Sequence, residues 1–120
     1  MSLPEIVHTG YDGSFQRTVL EDGAAKDLSE ATAVAIEFFD DPGTAICSFN
    51  TTDNAANFDN TLATGIIKFL WTSSTFTAYL ASLIATGKFS GRHNARLVIF
   101  DASYPDGYVV PEPFVVEFRR

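Results

Sequence analysis

The chain of 120 residues has the size of one domain, and 46% apolar residues, with eleven Phe, four Tyr and one Trp, supply a core without staples. A net charge of −7, from eight Lys and Arg against fifteen Asp and Glu, argues against a nucleic-acid binder, whose affinity comes from clustered cations. The single Cys47 excludes an intrachain disulfide and a multi-cysteine zinc site, and no apolar run approaches the ~18 residues of a membrane-spanning helix. The N-terminus lacks the basic and apolar blocks of a signal peptide, and Met1–Leu3 is set aside as a cloning remnant.

Period-two alternation dominates the chain and predicts half-buried strands. The first runs over Ile6–Gly10, and Tyr11-Asp12-Gly13 punctuates it. Phe15, Arg17 and Val19 then alternate with Gln16, Thr18 and Leu20, before a tight turn at Glu21-Asp22-Gly23. Residues 24–30 read as a link. Ala31–Phe39 puts Val34, Ile36 and Phe38 on one face, and Asp40-Asp41-Pro42-Gly43 has Pro and Gly at the centre of a type II turn. Thr44–Phe49 returns as a strand, the small polar residues 50–60 form a loop, and Leu62–Trp71 is a further strand.

The period then changes. Phe76, Tyr79, Leu80, Leu83 and Ile84 make one helical stripe, with Ser73 or Ser74 as a cap and Gly87 as a left-handed stop. Phe76, Leu80 and Leu83 are expected in the core. Arg96–Phe100 and Phe114–Phe118 close the chain as strands, separated by Tyr104-Pro105-Asp106-Gly107 and by Pro111 and Pro113. The sum is one all-β domain over residues 1–120, an antiparallel sandwich of about seven strands with one short helix.

Chemistry is harder to find. Seven of the fifteen acids fall between Arg17 and Phe49, but Asp22, Asp40 and Asp41 stand at predicted turns and Asp27 is placed to cap one. Glu37 alone is not punctuation. No calcium loop, HxH or HExxH spacing, nucleophile elbow or phosphate-cradling glycine loop occurs. Cys47 reads as a small core residue rather than a nucleophile, because neither His8 nor His93 sits in a motif beside it, and His93 falls in a loop opening a strand. Thr72-Ser73-Ser74 offers amides to an anion, though capping explains it more simply. No catalytic, cofactor or metal residue is assigned. Trp71 and Tyr79 are expected to pack against the sheet. Tyr104, Asp106 and Tyr108 surround an exposed turn that suits an interface or the edge of a ligand such as a glycan.

Three segments carry a resemblance. Asp27-Leu28-Ser29-Glu30-Ala31-Thr32-Ala33-Val34 leads into a strand, Gly65–Trp71 precedes a short helix, and Gly87-Lys88-Phe89 leads to Ala95–Asp101 and then Pro113–Phe118. Their order resembles the immunoglobulin-like β-sandwich of tailed-phage structural proteins, such as the N-terminal domain of baseplate upper proteins. The resemblance implies a non-enzymatic virion protein of tail, baseplate or neck, assembled in the bacterial host cytoplasm. Its partners would be further copies of itself and other virion proteins, with no cofactor, nucleic acid or membrane. The rival expectation is a carbohydrate- or surface-binding module using the Tyr104–Tyr108 turn, and a small hydrolase is a distant third.

Overall fold

Alternating burial along the chain is realised in a computed structural model describing residues 3–40 and 43–120. The strands are β1 (Glu5–His8), β2 (Gly13–Thr18), β3 (Leu20–Glu21), β4 (Ala24–Ala25), β5 (Ala33–Asp40) and β6 (Thr44–Asn50). After them come β7 (Ile66–Trp71), helix α1 (Thr77–Ala85), β8 (Ser90–Phe100), β9 (Tyr108–Val109) and β10 (Phe114–Arg119). The main sheet runs β1-β10-β8-β5-β6, with β9 added on β8. A two-stranded ribbon of β2 and β7 forms the facing layer. The expected all-β sandwich with one helix is therefore present, with one layer much smaller than the other. All pairs are antiparallel except β1 with β10, which run parallel and join the first strand to the last.

Register explains the core. Across β5, β8 and β10, Phe38 stands opposite Ala95, which stands opposite Phe114, so one alanine makes room for two rings. Ile36 meets Leu97 and Val34 meets Ile99 on the same face. From the ribbon, Phe15, Ile67, Phe69 and Trp71 point back at them, all buried. Phe38 has no exposed surface and packs edge-on to Phe49, Phe69, Phe76 and Phe118 at 5.3–6.2 Å between ring centres. Burying one such ring stabilises the fold by about 1.5–3 kcal/mol, and each favourable pairing adds about 0.5–1.5 kcal/mol.

Several boundaries differ from the sequence reading. Ala24-Ala25 is not a link but folds back on Leu20-Glu21, with Asp22 and Gly23 both at positive φ (53° and 81°), as an Asp-Gly hairpin turn requires. The stretch 50–60 is not structureless: Ala55–Asn57 is a 3-10 turn, and Phe58 bridges to Phe69. Leu62–Thr64 is likewise a 3-10 turn, so β7 starts only at Ile66. Gly13 belongs to β2 rather than to the turn before it. The predicted Asp41-Pro42 turn lies outside the described residues.

Helix α1 closes one end of the sandwich. Its N-cap is Phe76, without a side-chain cap, because Thr72 to Thr75 form a turn of their own in which the Thr72 amide donates to Thr75 Oγ1. Neither Ser73 nor Ser74 caps it as expected. Its end follows the sequence: Gly87 N–H donates to the Ile84 carbonyl and Lys88 N–H to that of Leu83, the paired bonds of a Schellman stop. Phe76 joins the central cluster and Leu83 is buried outside it. Leu80 is only half-buried, against Gly10, rather than in the core.

Candidate functional site

The residues singled out in the sequence separate in space. Tyr104 and Tyr108 come together edge-on, 5.0 Å between ring centres. Tyr104 is exposed, as is Asp106, whereas Tyr108 lies half-buried in β9. Lys26 sits over the Tyr108 ring at 5.1 Å and donates to its hydroxyl at 3.2 Å. That hydrogen bond, with Glu21 nearby, raises the Lys26 ammonium above its ordinary pKa, although burial works against it. The turn is pinned by Gly107, which has φ +86°; a Cβ there would lie 2.7 Å from Val98 Cγ1 and 2.8 Å from the Phe100 ring. Only glycine lets the loop lie this close on the outer face of the sheet.

That loop walls an open groove of about 550 Å³ on the outer face, floored by Ala33, Ala35 and Ser48. Glu37 lines it beside its register partner Arg96, whose Nε donates to Glu37 at 2.6 Å. Two further acids hold loop backbone in place. Asp27 accepts both the amide and the hydroxyl of Ser29, which lowers its pKa. Asp12 accepts the Ser73 amide at 2.8 Å, so that amide of the Thr72–Ser74 segment is already engaged by the chain itself.

One constellation escaped the sequence reading. His93 lies within β8, opposite Val116, not in a loop. Its Nδ1 contacts Asp40 Oδ1 at 2.6 Å and its Nε2 contacts Tyr79 Oη at 2.5 Å, with the side chain 14% exposed. Asp40 is thus the last residue of β5 and a histidine partner as well as a turn residue, its carbonyl accepting the Gly43 amide. The layout places a carboxylate, an imidazole and a hydroxyl in line, as in a hydrolytic triad. Burial, and then the neighbouring Asp40 and Cys47, raise the Tyr79 phenol above its ordinary 10, which withholds the phenolate. Cys47, on the other side of Tyr79, is pushed by burial from 9.0 to about 11. The cluster fastens α1 to β5 and β8, and Tyr79 also packs on Phe118 at 4.7 Å. Sequence spacing gave no signal for it, because the three residues meet only through sheet register and helix docking.

Two surfaces remain. Between β6 and α1, Ile46, Cys47, Phe76 and Ala78 line an apolar groove of about 280 Å³. Near the β1–β2 turn, Trp71 and Tyr11 line an open pocket of about 450 Å³. Among the described residues, no group of three or more His, Cys, Asp or Glu is arranged to hold a metal ion. Compared with known proteins, the chain matches no family model and no curated protein.

Proposed function

We propose that this chain is a non-enzymatic structural module that works by self-association and protein–protein contact, as a component of a tailed-phage or prophage virion. One observation carries the reading. Thr44–Thr52 and Phe69–Gly87 contain no Asp, Glu, Lys or Arg, although the whole chain carries −7. These stretches hold β6, an edge strand of the main sheet, and α1, and they adjoin across the apolar groove. The outer residues of α1 are Thr77, Ala78, Ala81, Ser82, Ile84 and Ala85, where a helix facing water ordinarily carries charge. Two acidic copies repel each other over most of their surface, and this uncharged region is where they can meet. The virion setting comes from the resemblance of Asp27–Val34, Gly65–Trp71 and the run of Gly87–Phe89, Ala95–Asp101 and Pro113–Phe118 to tailed-phage sandwiches. The test is the native mass by sedimentation across a wide range of concentration, together with co-purification with tail proteins. A mass of two or more times 13.1 kDa supports the reading. A monomer at every concentration, with no tail-protein association, overturns it.

A second reading, a carbohydrate- or surface-binding module, is favoured by the exposed Tyr104 beside the outer-face groove. Glycan binding lost in Tyr104→Ala and Tyr108→Ala supports it, and binding untouched by both removes it from that loop.

A further inference from the structure

The 11 residues of β8, at about 3.4 Å each, run most of the length of a body 44 Å long, so the ends of this strand mark two ends of the molecule. Immediately before its first residue stands Phe89, 79% exposed. Arg120 donates its amide to the Phe89 carbonyl at 3.0 Å and lays its guanidinium over the ring at 5.3 Å. Lys88 adjoins them, and register sets Arg119 opposite Ser90 and Arg92 opposite Glu117. Four of the chain's eight Lys and Arg therefore gather at this tip. Among the described residues, Glu117 bridges Arg92 and Arg119 with its side chain only 12% exposed, and Asp40 nearby is bound to His93. The side-chain charge of the tip is positive on an acidic chain. At the other end of β8, Phe100 enters the outer-face groove beside Thr32, Asp53 and Pro105. Acids ring that groove: Glu37 and Asp53 line it, Asp101 follows Phe100, and Asp106 follows Pro105. Arg96 in their midst is tied to Glu37 at 2.6 Å.

We propose that the cationic, aromatic tip of one copy docks in the acid-rimmed groove of the next, a head-to-tail contact between copies of this chain. Charge complementarity names the occupant. One molecule carries both halves, opposite in sign and too far apart to meet within it. A polyanion would satisfy the tip but be repelled by the groove, and a neutral glycan would leave the tip unanswered; a second copy answers both. Phe89 and Arg120 are of the residue types that anchor interfaces, and the small Ala33, Ala35 and Ser48 of the groove floor leave depth for a ring. The contact joins two different patches, so it repeats from copy to copy and ends in a closed ring or an open filament. It rests on the self-association reading. Exposed ion pairs contribute about 1 kcal/mol at most, too little to hold two free chains. Copies already joined through their uncharged β6–α1 sides present these ends at an effective concentration on the order of millimolar, where a weak contact suffices.

The test is sedimentation of the full chain at about 0.05 M and about 0.5 M salt, across which the screening length falls from about 14 Å to about 4 Å. Wild type should exceed a dimer at low salt and fall to a dimer at high salt. Two double charge reversals separate the halves: Lys88→Glu with Arg120→Glu at the tip, and Asp53→Lys with Asp106→Lys at the groove. Each alone should give only the dimer at either salt, and their equimolar mixture at low salt should restore the larger assembly. Phe89→Ala should weaken the end contact about tenfold at an unchanged melting temperature, since its ring is not part of the core. A wild type that stays a dimer at both salts, a larger assembly that both reversals leave intact, or a mixture that restores nothing overturns the end contact and leaves self-association standing. Loss with one reversal and not the other means that this half meets a different partner, which overturns it too. A wild-type monomer throughout removes both readings.

Discussion

At the scale of the residue, environment decides what each reactive group can do. Cys47 is desolvated on the inner side of β6, and its thiol is pushed to about 11. Relative to an ordinary 9.0, that is about a hundredfold less thiolate at pH 8. Iodoacetamide should therefore modify Cys47 in the folded chain about a hundredfold more slowly than in the urea-unfolded chain. Equal rates would contradict the desolvated thiol, and a faster rate in the folded chain would mark an activated one. Because the folded value is the raised one, the neutral thiol's contribution to stability is fully present below pH 9 and is lost as pH climbs from 9 towards 11. Gly107 makes a second residue-scale case. Gly107→Ala places a methyl group against Val98 and Phe100 at a positive φ, and thermal melting should show about 1–3 kcal/mol lost. Asp22 and Gly23 were readable in the sequence because Asp-Gly encodes its own turn. Asp40, His93 and Tyr79 were not, because nothing local links positions 40, 79 and 93.

At the scale of the element, strands were legible where alternation is strict, and misplaced where a polar or glycine-rich segment interrupts it. β5 and β10 fall where the apolar positions say, since each buries every second residue under a second layer. β8 begins at Ser90, earlier than its apolar run, because Gly91-Arg92-His93-Asn94 pairs edge to edge with Val115–Phe118 and needs no apolar code to do so. Helix α1 was legible in its period and its Gly87 stop, but the period alone overstated its burial. Phe76 and Leu83 are covered, while Leu80 rests half-buried at the rim. The consequence is testable by denaturant unfolding. Leu83→Asp buries an unpaired charge and should cost at least about 3 kcal/mol, whereas Leu80→Asp should cost about half of that or less and stay folded. Equal losses would mean that both sides of the helix are sealed.

At the scale of the whole molecule, a large six-stranded sheet faces a small ribbon, so part of the larger sheet's inner face depends on α1 and on residues 54–62 for cover. The resulting body measures 44 × 30 × 22 Å, and its charge is unevenly spread. Acids populate the turns and outer sheet faces, and the β6–α1 side has none between Thr44 and Thr52 or between Phe69 and Gly87. The sequence held that asymmetry in full view, but only the fold shows that the two uncharged stretches adjoin. The pocket beneath Tyr11 was invisible for the same reason, since Trp71 meets Gly13 only through the β2–β7 register.

The most direct measurement compares the sedimentation mass of wild type with those of two variants that each add one negative charge, Ala78→Glu in the apolar groove and Gln16→Glu on the exposed side of β2. A scaffold that joins copies through its uncharged side predicts an assembly for wild type and Gln16→Glu and a monomer for Ala78→Glu. Three identical masses would contradict it.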